Sequence, residues 1–235
     1  MTVKKTLDEK LKSIHADPHG SPEFIIADAK DADMAFGVKA PGPRGYLSTR
    51  GLRPAQFSPE VWRREEFGYR NLPEFLDIIR EVTQQGLVDI MLMSASTSDV
   101  LAVQERLFEN SHVTPAIRAN DTTDIHVFRG SRIGQAASRP FRSASLDHAQ
   151  CGYIDCEPQD RVLGSSLGLY SITFNNDRDL DHDSLTEYKA FRDEAERKGF
   201  RHFLEIFNPN LPNAVAPEQL PGFINDVIAR TLAGV

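Results

Sequence analysis

The sequence predicts an α/β protein of the (β/α) barrel class (TIM barrel), on three observations. Short apolar runs of strand length alternate with amphipathic segments of helical period along most of the chain. No glycine-rich phosphate loop of the GxGxxG or GxxxxGK(S/T) type follows any of those runs, so a doubly wound nucleotide-binding sheet has no positive sign. Polar residues gather toward the ends of runs that otherwise read as core strands, which is where barrel enzymes place their sites.

Segment 24–29 (FIIADA) reads as the first strand. Segment 73–85 places Phe75, Ile78, Ile79 and Val82 on one helical face and stops at Gly86. Segment 87–93 (LVDIMLM) is the second strand, after which Ser98 is placed to cap a helix over 99–109. Segment 112–118 (HVTPAIR) is a weaker strand, because Pro115 has no N–H for the ladder. Segment 141–147 (FRSASLD) alternates as a fourth strand, and 168–174 (GLYSITF) is a fifth. An amphipathic helix over 183–198 ends at Gly199, and strand 202–207 and helix 217–232 follow.

This gives six β/α units in a domain over 23–235, preceded by an N-terminal helical extension over 1–22 whose helix, 3–15, is expected outside the barrel. A complete barrel has eight strands and typically about 250 residues, so only its first six units are expected here, as a fragment of a longer protein. A Gly-, Pro- and Arg-rich insertion over 37–72 follows the first strand, and Arg44, Arg50 and Arg53 in it could grip a phosphate or be solvated. A second loop over 119–140 carries Arg129, Arg132 and Arg139.

The chain has 235 residues and a net charge of −7, which argues against a general binder of nucleic acid or anionic membranes. No apolar run is long enough to span a bilayer, and the charged N-terminus has no apolar signal region. Cys151 and Cys156 read as two free thiols in a reducing cytosol, rather than as a small disulfide or two metal ligands, so the expected compartment is cytoplasmic. The expected partner is a small molecule, with assembly into a homo-oligomer left open and no cofactor implied.

Period two sorts the strands into faces. Tyr170, Ile172 and Phe174 share one face, and Ser171, Thr173 and Asn175 share the other. Ser143, Ser145 and Asp147 align, as do Thr114, Ala116, Arg118 and Asn120, and as do Phe203, Glu205 and Phe207. The polar sets are expected to point into the barrel. An ionised carboxylate inside an apolar strand is costly without a partner, so Glu205 reads either as a site acid or as a structural acid paired with Arg118 or another buried base. At the end of the first strand, Asp28 and Lys30 share a face. A carboxylate can hold a neighbouring lysine charged, and a drier setting can free its amine to attack a carbonyl. Lys30 is the only lysine placed at a strand end, since Lys39 falls in a loop and Lys189 and Lys198 on a helix.

The stretch YKAFRDEAERKGFRHFLEIF resembles the region of the tagatose-1,6-bisphosphate aldolase family, a class I aldolase family, in which a helix leads into a strand of the type FFLE. Phe203, Leu204 and Glu205 stand at that strand, LYSITFNND resembles the strand before it, and IIADAKDADMA resembles the family's first strand, with Asp28 at its aspartate. The resemblance covers 24–36 and 165–210. It implies reversible aldol cleavage of a phosphorylated sugar or related hydroxy-ketone through a lysine iminium. The family's lysine on the strand before FFLE falls on Ser171 here, and the strand with its Schiff-base lysine would begin beyond Val235.

The expected roles are therefore acid–base or lysine-tuning for Asp28 and Glu205, substrate binding for Lys30 and Arg118, and hydroxyl binding for Asn120, Asp147 and Asn175. Two other readings stand beside this one. Asp28, Glu205 and Asp147-His148 could offer ligands to a divalent ion in a lyase or isomerase, although no H-x-H or H-E-x-x-H pairing exists. The fold could also keep a sugar-phosphate pocket without catalysing anything. His112, His126 and His202 read as structural or loop residues.

Overall fold

The computed structural model describes residues 3–31, 72–125 and 132–234. The 37–72 insertion, apart from Leu72, lies outside the described residues, with Lys39, Arg44, Arg50 and Arg53. So do His126 and Arg129. Five parallel strands form the main sheet: β1 (Ala27–Lys30), β2 (Ile90–Met93), β3 (Thr114–Arg118), β6 (Leu167–Thr173) and β7 (Arg201–Phe207). They lie in chain order, every neighbour parallel, with β1 and β7 at the edges. The sheet is open and curled, a half-barrel rather than a closed one. The expected six-unit barrel is thereby corrected.

The missing unit is 141–147. Its alternation is coincidental. Pro140–Phe141 (β5) pairs antiparallel with Asp121–Thr122 (β4) in a separate two-stranded ribbon. Ser145 then starts helix α4 (Leu146–Cys151) by accepting the His148 N–H, and Gly152 ends it in the left-handed region at φ 84°. Capping outweighs a two-residue period over so short a run.

The other elements follow local chemistry. Helix α2 (Leu72–Gln85) buries Phe75 and Ile79 and ends at Gly86, φ 65°. The next helix begins four residues earlier than expected. Ser94 caps α3 (Ala95–Ser98), which continues as a wider π-helical turn over Asp99–Gln104. Helix α5 (Arg178–Arg197) is capped by Asp177, which accepts the Asp179 and Leu180 amides, and α6 (Leu220–Leu232) closes the order.

Register defines two faces, because residues paired across parallel strands point the same way. Met91, Met93, Ile117, Tyr170 and Ile172 face the helices, where Phe75 and Leu101 on one side and Tyr188 and Phe191 on the other complete two apolar clusters. The inner face has an apolar floor at the N-terminal ends of the strands: Ile90, Leu92, Ala116, Leu167 and Leu169. Helix α1 (Thr6–Ala16) covers that floor with Leu7 and Leu11. It is tied across the sheet by Lys10–Asp89 at 2.8 Å and Arg201–Asp8 at 2.6 Å. Lys5 donates to the carbonyls of Phe108, Ser111 and Val113 at 2.7, 2.7 and 3.1 Å. The helix expected outside the barrel is therefore part of the core.

Cys151 and Cys156 are joined as a disulfide, Cα atoms 6.0 Å apart, which corrects the expectation of free thiols. No described helix is long and apolar enough to cross a membrane.

Candidate functional site

Above the floor, toward the C-terminal strand ends, the inner face turns polar. Arg118 from β3, Ser171 and Thr173 from β6, and Glu205 from β7 all lie on this face by register. Arg118, Ser171 and Thr173 are buried, and Glu205 is half-buried.

These side chains form one directed chain. The Arg118 guanidinium donates through Nη1 to Ser171 Oγ at 3.1 Å and through Nε to Asp31, just past β1. A guanidinium has no acceptor, so the Ser171 proton is left to point the other way, at Glu205 Oε2, 2.8 Å away. Among the described residues, Glu205 Oε1 takes no hydrogen bond. One oxygen is thus aimed by a neutral donor, and the other has no partner among the described residues.

Asn120 holds the centre of this chain. Its Oδ1 accepts the Ser171 N–H and its Nδ2 donates to the Ser171 carbonyl, both at 2.7 Å. Strands β3 and β6 pair directly only at Ile117–Gly168 and Arg118–Leu169. The buried Asn120 amide therefore continues the ladder where β3 has turned away. It positions Ser171 and is engaged at both ends, which does not fit the hydroxyl-binding role expected for it.

Farther along β6, Thr173 Oγ donates to Asp124 at 3.2 Å, and Ser138 Oγ donates to the same carboxylate at 2.6 Å. Asn210 straps the mouth. Its Oδ1 accepts from Asn175 Nδ2 at 2.8 Å and from the Ser138 N–H at 3.1 Å, and its Nδ2 donates to the Ala136 carbonyl at 2.8 Å. Asn175 is therefore a loop-fastening residue, and its Oδ1 accepts the Leu211 N–H at 3.1 Å. Its own N–H goes to Asp181, whose carboxyl burial pushes up, against the opposing pull of the Asn175 and Asp177 amides.

The remaining expected residues lie elsewhere. Asp28 and Lys30 pair with each other, but register sets them beside Met91 and Met93, on the helix-facing side of β1. They share a face, as expected, and it is the face opposite Glu205. Asp147 is in α4, not on a strand, with Arg161 at 2.5 Å and Lys198 at 3.0 Å. Burial alone would raise its carboxyl, but the two cations outweigh that and hold it below the usual carboxylate range. His202 sits on the helix side, 2.9 Å from the Tyr188 hydroxyl, and burial lowers its pKa with help from Arg192.

Among the described residues, no three His, Cys, Asp or Glu side chains converge as metal ligands. The ion imagined between Asp28, Asp147-His148 and Glu205 would have to bridge both faces of the sheet. Reading the sequence pointed to Arg118 and Glu205. It assigned no role to Asp31, at the end of the first strand, or to Asp124, and did not show the bridging role of Ser171, since Asp31 and Asp124 lie just past their strands, where period two gives no orientation. No protein-family model, curated protein or solved structure matches the chain.

Proposed function

We propose that the inner face carries an acid–base site for a small carbonyl substrate, and that its reaction is reversible aldol cleavage of a phosphorylated sugar or related hydroxy-ketone. The observation that carries this reading is the Arg118–Ser171–Glu205 chain across three strands, ending in a carboxylate with one oxygen unengaged among the described residues. Glu205 is the proton carrier. A neutral hydroxyl orients the carboxylate without placing a counter-charge on it. Arg118 is paired with Asp31 and lies 4.0 Å from Asp121, and its Nη2, which takes no partner among the described residues, is the group left for a substrate carbonyl oxygen or anionic group. Ser171 fixes the distance between Arg118 and Glu205.

In the cleavage direction, a base removes the hydroxyl proton. The carbon–carbon bond breaks, its electron pair moves toward the carbonyl, an aldehyde leaves, and the carbon left behind takes a proton. The resemblance to class I aldolases adds an iminium-forming lysine. Lys30 does not supply it to this face, because its amine is paired with Asp28 on the other side of the sheet.

The test is proton exchange at the carbon next to the carbonyl. Dihydroxyacetone phosphate is incubated with the protein in heavy water, and loss of its methylene signal is followed by proton NMR. The wild type is expected to accelerate exchange, and Glu205→Gln to slow it by about a hundredfold. Equal rates for the two proteins would remove Glu205 from the chemistry. Binding of dihydroxyacetone phosphate without exchange would favour a pocket that holds a sugar phosphate and does not act on it.

A further inference from the structure

We propose that Asp124 is the second acid–base residue of this site, working on the substrate hydroxyl while Glu205 works on the carbon beside the carbonyl. This rests on the reading above. Successive inner-face positions of β6 carry hydroxyls, Ser171 and Thr173, both fully buried. Each directs its proton to a carboxylate brought from a different element: Ser171 to Glu205 of β7, and Thr173 to Asp124 in the turn after β4. Buried hydroxyls are satisfied more simply by a backbone carbonyl. Here two in a row are spent on aiming carboxylates.

Asp124 is also held from a second direction. Ser138 donates to it at 2.6 Å, and Ser138 is itself fastened to Asn210 in the segment after β7. Two separate stretches of chain thus donate to one half-buried carboxylate, and no cation is placed on it among the described residues. Asp147, by contrast, meets Arg161 and Lys198.

Positions two apart on a strand are separated by about 6.6 Å. The carboxylates aimed by Ser171 and Thr173 therefore reach the inner face at successive levels of the same strand, one for the carbon and one for the hydroxyl of a substrate lying along it. Arg118 lies on the Ser171 side, which puts the carbonyl end of the substrate near Glu205 and the departing aldehyde near Asp124. The balance closes. Asp124 takes the hydroxyl proton as the carbon–carbon bond breaks, its electrons pass toward the carbonyl, and Glu205, which enters the cleavage direction protonated, gives that proton to the carbon. Both residues finish the cycle by exchanging a proton with water.

The experiment separates the two half-reactions. Exchange on dihydroxyacetone phosphate alone needs only the carbon-side group, whereas cleavage of a ketohexose 1,6-bisphosphate needs both. Asp124→Asn is expected to lower cleavage about a hundredfold and exchange less than threefold, while Glu205→Gln lowers both. A parallel loss of cleavage and exchange in Asp124→Asn would assign Asp124 a structural role and overturn the proposal. So would unchanged cleavage. Should Asp124→Asn fail to fold, Thr173→Val removes the aiming hydroxyl at nearly constant shape. It is expected to lower cleavage about tenfold with exchange unchanged, and no selective loss would again overturn the assignment. A wild type that neither exchanges nor cleaves sinks this proposal together with the reading it rests on. An active wild type with an indifferent Asp124 sinks this proposal alone.

Discussion

Glu205 and Asp147 are both half-buried carboxylates, and their surroundings could hardly differ more. Asp147 lies in the helix layer with each oxygen on a cation: Oδ1 to Arg161 at 2.5 Å and Oδ2 to Lys198 at 3.0 Å. Lys198 also reaches Glu194 at 2.9 Å, and Glu194 in turn meets Arg142 at 2.7 Å. Burial works against each charge, but the pairings outweigh it. Asp147 and Glu194 are held below their usual values and Lys198 above its own. Among the described residues, Glu205 meets one neutral hydroxyl. Interlocked charges fasten elements together and leave nothing for a ligand, whereas a carboxylate aimed by a hydroxyl keeps its reactivity. Charge inside a fold therefore points to chemistry only when its partners leave it unspent.

The sharpest way to break this comparison is to neutralise each acid without changing its shape. Glu205→Gln should slow carbon-proton exchange about a hundredfold, with stability in urea within about 1 kcal/mol of wild type, since the amide oxygen still accepts from Ser171. Asp147→Asn should do the reverse. It leaves two partly buried cations short of a partner and should cost about 2 kcal/mol in the same unfolding experiment, with exchange per folded molecule unchanged.

The bridge itself comes next. Ser171→Ala removes the hydroxyl between Arg118 and Glu205, and should cost about 1–2 kcal/mol and lower exchange about tenfold. A larger loss of exchange than in Glu205→Gln would mean that Ser171, not Glu205, touches the substrate.

The pH dependence of stability should also come from the helix layer. Asp147 and Glu194 have depressed folded-state values, so their contribution is present above about pH 4 and is lost as pH falls through those values. Lys198 is raised, so its contribution is full below about pH 10.4 and is lost as pH rises through its folded value. Urea unfolding between pH 7 and 3 should show a shallower acid loss in Asp147→Asn than in wild type. The smallest effect belongs to Tyr188→Phe, which removes one half-buried hydrogen bond to His202. It should cost about 1 kcal/mol and leave exchange untouched.

Much of this was legible in the residues. The apolar runs at 87–93 and 168–174, the helix with Phe75 and Ile79 on one face, and the stops at Gly86 and Gly199 all reappear in the fold. The split of β6 into a Tyr170–Ile172 face and a Ser171–Thr173 face is a consequence of strand geometry and needs no neighbour to establish it. The alternation in FRSASLD misled, and the cue that corrects it was present too, since Ser145 stands where a helix cap belongs and Gly152 where such a helix stops.

Local period by itself determined which residues of a strand share a side. Only the tertiary structure decided which side that was relative to other strands, because register depends on the alignment of segments far apart in the chain. Asp28 and Lys30 pair as adjacent acid and base, yet the alignment of Asp28 with Met91 puts them across the sheet from Glu205. Helix α1 carries apolar residues enough to pack, but its placement under the inner face rests on ties to Asp89, Phe108 and Arg201, which no local pattern announces. Asp124 joins the site for the same reason. A turn residue has no face until the strands around it fix one, and Thr173 and Ser138 do that from 49 and 14 residues away.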